Sequence, residues 1–184
     1  MSLKNISIVL IKPQIGENIG ATARAMKNFG LSKLIIVNPK EKWPNTKAVY
    51  TSVKAVDIIH KAKVFKSTSD ALRKSDIVFA TTARIRNLNK KIYSLDEAVK
   101  IIKKSKKKIA ILFGPENAGL SNEDLISANY LLKIPSDAKY ESLNLSHAVS
   151  AVSYTHPSKK KLFIIIRTKV RLSVKVISLN SMIF

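Results

Sequence analysis

Residues 18–24, which read Asn-Ile-Gly-Ala-Thr-Ala-Arg, contain side chains that could take part in a reaction or bind a ligand. Gly20 and Ala21 allow a neighbouring backbone or a ligand to approach closely. Arg24 carries a permanently charged planar group that suits a phosphate or a developing oxyanion. The same residues also fit an ordinary helix that packs on a sheet and leaves Arg24 in solvent.

Two later segments also contain side chains that could take part in a reaction or bind a ligand. In residues 112–120 an apolar run leads into a loop that has Gly114 and Gly119 around one carboxylate, Glu116. A simple connection between two elements needs neither the two glycines nor the acid. Residues 142–149 offer Ser and Asn side chains at a helix start, which helix capping alone explains in part.

Several common types of site are excluded by the residues and their spacing. Gly16 and Gly20 do not have the spacing of a dinucleotide-binding fingerprint, and the phosphate-loop motif is absent. The chain has no Cys, so it can form neither a thiolate metal site nor a cysteine nucleophile. Its three histidines, His60, His147 and His156, do not have metal-ligand spacing. We therefore expect no metal.

The elements that must position these segments alternate between apolar runs and helical patterns. Strands are predicted at 6–11, 34–37, 63–66, 76–81, 109–113 and 130–134. Helices are predicted at 19–29 with Asn18 as the cap, at 46–61, 69–74 and 95–104, from Ser121, and at 144–154. This alternation predicts an α/β fold with a mostly parallel sheet and helices on both faces. Ligands in such sheets bind beyond the carboxyl ends of the strands, where residues 14–24, 81–86, 114–120 and 135–144 are expected.

The charge of the chain points to a polyanionic partner. Of its 184 residues, 33 are Lys or Arg and 12 are Asp or Glu, which gives a net charge of +21. Such an excess suits nucleic acid or an anionic membrane surface. A nucleotide bias in the genome that favours lysine is the alternative explanation, and it is the one feature that favours a small-molecule α/β enzyme with accidental basicity.

The length and the apolar pattern predict one domain at 1–155 and a basic tail at 156–184. The tail does not continue the alternation, and it is interpreted as a strand pair, an RNA-contacting extension or the product of a reading-frame change. No apolar stretch of about 18 residues could span a membrane, and the N-terminus lacks the apolar core of a signal peptide. We expect a cytoplasmic protein that does not bind membranes.

The three segments, in this order and spacing, resemble the motifs of the SPOUT superfamily of RNA methyltransferases, in its SpoU branch. The matching patterns are Asn18-x-Gly20-x-x-x-Arg24, residues 112–120, and Ile134-Pro135 followed by 142–144. Residues 25–31 and 81–86 are similar to those of the TrmJ-like tRNA (cytidine/uridine-2′-O-)-methyltransferases. The likeness covers about residues 5–154. The family usually continues its last helix with a Tyr-Glu pair, whereas here Tyr154 is followed by Thr-His-Pro.

The resemblance implies a C-terminal trefoil knot that holds S-adenosylmethionine (AdoMet), and a homodimer that acts on tRNA without a metal. The implied cofactor-binding residues are Thr81, Thr82, Ala83, Gly114, Ile134, Ser142, Leu143 and Asn144. The implied catalytic residues are Arg24, Asn18, Glu116 and Asn144, and the implied RNA-binding residues are Arg24, Arg84 and Arg86.

The implied reaction is 2′-O-methylation of a cytidine or uridine in the anticodon loop. Arg24 would stabilise and position the ribose hydroxyl across the dimer interface, and Glu116 would orient neighbouring groups. Methylation of another tRNA site or of ribosomal RNA is the alternative within the class. A catalytically impaired RNA-binding protein that keeps the fold is the alternative outside it, favoured by the unusual tail.

Overall fold

The computed structural model of the protein describes residues 3–82, 89–137 and 142–154. Its seven strands form one sheet in the order β3-β2-β1-β6-β4-β7-β5, and every neighbouring pair is parallel. The strands are β1 (Ile6–Ile11), β2 (Lys33–Val37), β3 (Lys63–Phe65), β4 (Ile77–Thr82), β5 (Ile92–Ser94), β6 (Ile109–Phe113) and β7 (Tyr130–Lys133). The α/β fold with a parallel sheet is confirmed.

Helices cover both faces of this sheet, as predicted. They are α1 (Gly16–Asn28), α2 (Thr46–Ser52), α3 (Val56–His60), α4 (Thr68–Leu72), α5 (Leu95–Lys104), α6 (Asn122–Ile126) and α7 (Leu145–Tyr154). One core contains Ile8 and Leu10 of β1 with residues of α1, α2, α3, α5 and α7. The other contains Val9 and Ile11 with residues of α4 and α6. Successive residues of β1 thus point into opposite cores.

The central strands are buried on both sides, which explains their continuous apolar sequences. All five residues of β6 are buried, and β6 lies between β1 and β4. In register, Ile8 of β1 faces Leu34 of β2 on one side and Ile111 of β6 on the other. Residues of this kind carry most of the hydrophobic stabilisation, at about 1.5–3 kcal/mol for each fully buried large side chain.

Three sequence expectations need correction. Asn18 does not cap α1, which begins two residues earlier, after Ile15, with no side-chain cap. The helix expected at 46–61 is broken, because Val53 takes a left-handed φ of 49° and starts a 3₁₀ turn between α2 and α3. Strand β5 was not predicted, because its three residues lead directly into α5.

Other local signals worked as expected. Ser121 and Asp124 form a reciprocal capping box at the start of α6. Within the described residues, no helix has the length and apolarity needed to cross a bilayer. The described ranges have gaps at 83–88 and 138–141, so the trefoil knot stays a prediction, as does the domain boundary at 155. The tail at 156–184 lies outside the described residues.

Candidate functional site

The segments singled out in the sequence meet at the carboxyl edge of the sheet. The neighbouring strands β1, β6, β4 and β7 all run in one direction, so the residues that follow them emerge side by side. Residues 12–18 follow β1, Gly114 and Glu116 follow β6, and Ile134 follows β7. This arrangement of loops beyond parallel strands is where ligands of α/β sheets bind.

Glu116 connects the loop after β6 to the start of α1. Its Oε2 accepts the backbone N–H of Gln14 at 2.9 Å, and its Oε1 accepts Asn18 Nδ2 at 2.7 Å. The carboxylate is half-buried, and each of its oxygens has a donor. Hydrogen bonds to an ionised group are about twice as strong as neutral ones, so Glu116 fixes the position of α1 relative to this loop.

Asn144 extends this network to α7. Its Nδ2 donates to Asn18 Oδ1 at 3.2 Å, and its own Oδ1 accepts the backbone N–H and the hydroxyl of Ser146 at 2.9 and 2.8 Å. Because the carboxylate of Glu116 can only accept, the amide of Asn18 must turn its NH₂ to Glu116 and its oxygen to Asn144. The structure thus brings together three of the four residues expected to be catalytic: Asn18, Glu116 and Asn144.

Thr81 and Gly114 shape the adjoining part of the site. Thr81, the second-to-last residue of β4, donates its hydroxyl hydrogen to the backbone oxygen of Leu112 at 2.8 Å. At Gly114 an added Cβ would lie closer than 3.0 Å to backbone atoms of Gly119 and Leu120. The loop after β6 therefore folds back tightly on itself and can do so only with glycine at this position.

The remaining expected cofactor residues offer both apolar and polar surface. Ile134 is buried after β7, while Ser142 and Leu143 are exposed just before α7, and Thr82 ends β4. Leu143 leaves 37% of its surface exposed. Ala83, Arg84 and Arg86 lie outside the described residues.

Arg24 lies apart from the network of Asn18, Glu116 and Asn144. Arg24 comes six positions after Asn18 in α1, which places it about 9 Å farther along the helix axis and about 120° around that axis. The Arg24 side chain is exposed, and among the described residues it has no hydrogen-bond or ion-pair partner. Its charge therefore faces solvent on another side of α1 from this network.

The start of α1 is held by residues that the sequence did not reveal. Glu41 accepts the backbone N–H of Gly16 at 3.1 Å and Asn45 Nδ2 at 2.7 Å. A carboxylate at a helix N-terminus is stabilised by the unpaired N–H groups there. The bond from Asn45 is the main cause that lowers the pKa of Glu41, with smaller contributions from Gly16 and Lys47.

Lys47 completes this cluster, because its Nζ lies 3.4 Å from Glu17 Oε1 and 3.6 Å from Glu41 Oε1. The charges of Glu17 and then Glu41 raise the pKa of Lys47. Glu41 lies 25 residues beyond Gly16, so no local pattern could have marked it as the cap.

Gly20 allows α1 to pack closely against α2 of the same chain. An added Cβ would lie closer than 3.0 Å to Thr51 Oγ1 and to backbone atoms of Ala48 and Ser52 in α2. The close approach expected at this glycine is therefore made to α2, and Ala21 is the small residue that stays half-exposed.

Among the residues that the structure describes, no group of three His, Cys, Asp or Glu side chains could hold a metal ion.

The profile of the SpoU rRNA Methylase family matches residues 5–154. The chain belongs to the SpoU family. All of the residues that form the Glu116 network lie inside the matched range.

Two TrmJ proteins are similar to this SpoU chain. The tRNA (cytidine/uridine-2′-O-)-methyltransferase TrmJ of Sodalis glossinidius is 41% identical over 154 residues, which is 83% of this chain and 60% of that protein. The crystal structure of TrmJ from Z. mobilis ZM4 superposes with a TM-score of 0.81 at 37% identity, over 84% of this chain and 69% of that one. The chain thus spans about three fifths of the length of the curated relative.

A more distant structural neighbour has been solved with AdoMet bound. The AdoMet-bound rRNA methyltransferase of Sinorhizobium meliloti superposes with a TM-score of 0.66 at 21% identity. The match covers 85% of this chain and 56% of that one. At this identity, the likeness shows the fold alone.

Proposed function

We propose that this protein transfers a methyl group from AdoMet to the ribose 2′-hydroxyl of a cytidine or uridine in the anticodon loop of tRNA, in the cytoplasm. The observation that carries the proposal is the network of Glu116, Asn18 and Asn144 at the carboxyl edge of the sheet, in a chain of the SpoU family. The name of the Sodalis relative supports the substrate class. The net charge of +21 supports an RNA partner.

The residues at the strand ends fit AdoMet. Exposed Leu143 and partly exposed Thr82 offer apolar surface beside polar groups, and loops after buried strands supply backbone donors and acceptors for an adenine. Residues of this chain that would hold the cofactor are Thr81, Thr82, Ala83, Gly114, Ile134, Ser142, Leu143 and Asn144. AdoMet supplies an electrophilic methyl group when bound, so the reaction needs no metal.

Arg24 would stabilise the developing alkoxide of the ribose and position it. An arginine stays protonated at neutral pH, so it is a poor base but a good fixed charge. Because Arg24 faces solvent away from the network of its own chain, we propose that it serves the site of a second copy in a homodimer. Arg84 and Arg86 would bind RNA phosphates.

Glu116 is proposed as a positioning residue. Both of its oxygens already accept hydrogen bonds, from Gln14 and Asn18, so neither is placed to take a proton from the substrate. Asn18 and Asn144, which hydrogen-bond to each other, would hold the ribose and the cofactor in register.

The proposal is tested by incubating the full chain with methyl-labelled AdoMet and tRNA in EDTA. We expect label in tRNA that survives as a 2′-O-methylnucleoside after digestion, and calorimetry that shows one AdoMet site per chain. A folded protein that binds neither AdoMet at millimolar concentration nor RNA would contradict the proposal.

Other outcomes of this experiment assign the protein to the alternatives. Label found in ribosomal RNA but not in tRNA would overturn the substrate and keep the reaction. Tight tRNA binding with no AdoMet binding would instead indicate an RNA-binding protein that has lost catalysis.

A further inference from the structure

The edge of the sheet opposite the candidate site is rich in lysine. Six of the seven strands have a lysine at their first residue or up to three residues before it, namely Lys4, Lys33, Lys63, Lys74, Lys91 and Lys108. All six side chains are exposed. A strand of five or six residues is roughly 17–20 Å long, so this amino edge is well separated from the residues of the Glu116 network.

The densest part of this edge is a cluster that we call the lysine edge, made of Lys4, Lys103, Lys104, Lys106, Lys107 and Lys108. Its backbone is held in place by defined hydrogen bonds. Asn5 Nδ2 donates to the oxygen of Lys106 at 3.1 Å, and the N–H of Lys108 donates to Asp76 Oδ2 at 2.7 Å. The starts of β1, β4 and β6 therefore present these charges from one rigid surface.

The lysines of the lysine edge form no ion pairs within the part of the chain that the structure describes. By contrast, Lys27 pairs with Asp57, and Lys47 lies between two glutamates. Asp76 touches the cluster, but it binds a backbone N–H there. Several like charges held close together repel one another and favour binding of a polyanion.

Helix chemistry explains only part of the cluster. Lys103 and Lys104 lie in the last turn of α5, where positive charge is favoured by the helix dipole. Lys106, Lys107 and Lys108 follow the end of that helix at Ser105 and gain nothing from it. Their three consecutive charges need a different explanation.

We infer that the lysine edge binds the phosphate backbone of the RNA substrate at a second contact, remote from the methylated nucleotide. Lysines suit this contact, because phosphate binding by point charges is independent of sequence and gives affinity to a large RNA. Proteins of membrane surfaces combine such charges with large apolar side chains, but residues 103–108 are all Lys or Ser. The inference rests on the RNA substrate of the proposed function.

The test compares two double variants of the full chain that remove equal charge. Lys106→Gln with Lys107→Gln changes the lysine edge, whereas Lys54→Gln with Lys61→Gln changes exposed lysines outside this cluster, in the 3₁₀ turn before α3 and directly after α3. Binding of unmodified tRNA is measured over a series of salt concentrations. The slope of log affinity against log salt is negative, and each lost phosphate contact reduces its magnitude by roughly 0.7–0.9.

We expect the magnitude of the slope to decrease by about 1.5 in the edge variant, and the tRNA affinity at 50 mM salt to be reduced about tenfold. The matched variant should keep the wild-type slope. Equal slopes in both variants, or an unchanged edge variant, would overturn the inference. Loss of binding to phosphatidylserine vesicles with unchanged tRNA binding would also overturn it and assign the edge to a membrane.

The result of this binding test can be distinguished from the result of the test of the proposed function, because the salt dependence of tRNA binding is measured without methyl transfer. A wild-type protein that methylates tRNA while the edge variant keeps its slope would refute the second contact alone. A wild-type protein with no methyl transfer would refute the proposed function. Both double variants should bind AdoMet as the wild type does, which shows that they are folded.

Discussion

The carboxylate of Glu116 accepts hydrogen bonds from Gln14 and Asn18, which lie 102 and 98 residues earlier in the chain. Glu116→Gln replaces one acceptor oxygen with an NH₂ group that faces one of these donors. A donor left without its acceptor typically costs about 1–3 kcal/mol, so we expect the free energy of unfolding to fall by about that amount. Denaturant unfolding measures this change.

The control for Glu116→Gln is Glu123→Gln, which changes an exposed acid of α6 and should leave stability within about 0.5 kcal/mol of wild type. Equal stabilities of the two variants would show that the network does not hold α1. A normal unfolding free energy with lost activity would instead make Glu116 a group that touches substrate.

Arg24→Ala is expected to lower the rate of methyl transfer by about 10²–10³ and to leave AdoMet binding unchanged. The reason is its position, because Arg24 lies on the solvent side of α1 and the residues expected to bind AdoMet follow later strands. Arg24→Lys should recover little activity, since a point charge does not reproduce the planar fork.

Single-turnover transfer to saturating tRNA measures the effect of Arg24→Ala, with Arg73→Ala as the matched control. Arg73 is an exposed arginine that pairs with Asp70, remote from the site in sequence and on the opposite face of the sheet from α1. A rate for Arg24→Ala near that of Arg73→Ala would remove Arg24 from the reaction.

At the same scale, sequence reasoning identified part of the site. The segments that contain Asn18, Glu116 and Asn144 were found because polar residues after buried strands are conspicuous, and the resemblance to SpoU enzymes then implied these three residues as site residues. The structure brings them into contact. Gln14, Glu41 and Asn45 were missed. Gln14 contributes its backbone, and Glu41 acts across 25 residues, so neither leaves a local pattern.

At the scale of the element, the loop after β6 depends on one of its two glycines more than on the other. Gly114→Ala would place a Cβ against backbone atoms of Gly119 and Leu120, so we expect a loss of stability of about 1–3 kcal/mol and weaker AdoMet binding. Gly119→Ala meets no atom within 4 Å, and its φ of 68° is its main cost, at about 1 kcal/mol.

Thermal unfolding and AdoMet calorimetry on the two glycine variants test this difference. A Gly119→Ala protein that is damaged as much as Gly114→Ala would show that backbone conformation, rather than close packing, governs the loop.

The start of α1 should make stability depend on pH in acid. The pKa of Glu41 in the folded protein is lower than its ordinary value of 4.5, chiefly because of the bond from Asn45. A lowered pKa adds stability above the unfolded pKa, and this part is lost as pH falls through the folded pKa. Below about pH 4.5, wild-type stability should therefore fall more steeply than that of Glu41→Gln.

Urea unfolding of both proteins between pH 3 and pH 7 measures the difference, and curves that stay parallel over this range would contradict the role of Glu41. Other carboxylates with lowered pKa values, such as Asp57 and Glu97, affect both proteins equally and cancel in the comparison.

Elements were predictable where burial was continuous. Strands β1 and β6 were found because they are apolar along nearly their whole length, which follows from cover on both faces. The edge strand β5 was missed, because Ile92–Ser94 leads directly into α5 and its pairing with β7 leaves no pattern in the sequence. The break at Val53 also has no marker in sequence, because valine rarely takes a left-handed φ.

At the scale of the whole molecule, the proposed role of Arg24 requires a second chain. Arg24 faces solvent while the network of its own chain lies on another side of α1, so we expect a homodimer in which each chain completes the site of the other. Sedimentation at micromolar concentration should give twice 20.4 kDa. A monomer at that concentration would exclude a shared site.

A mixing experiment tests the sharing itself. Arg24→Ala and Asn18→Ala chains, each inactive alone, should regain part of the wild-type rate when they are mixed and allowed to exchange subunits. The reason is that a mixed dimer contains one site with neither change. Mixtures that stay inactive although exchange is demonstrated would place Arg24 and Asn18 in the same chain's site.

Mass spectrometry of nucleosides in tRNA tests the proposed methyl transfer most directly, with cells that carry the gene, lack it, or express the Arg24→Ala protein. We expect a 2′-O-methylcytidine or 2′-O-methyluridine of the anticodon loop that is present only with the wild-type gene. An identical set of 2′-O-methylnucleosides in all three tRNA samples would contradict it.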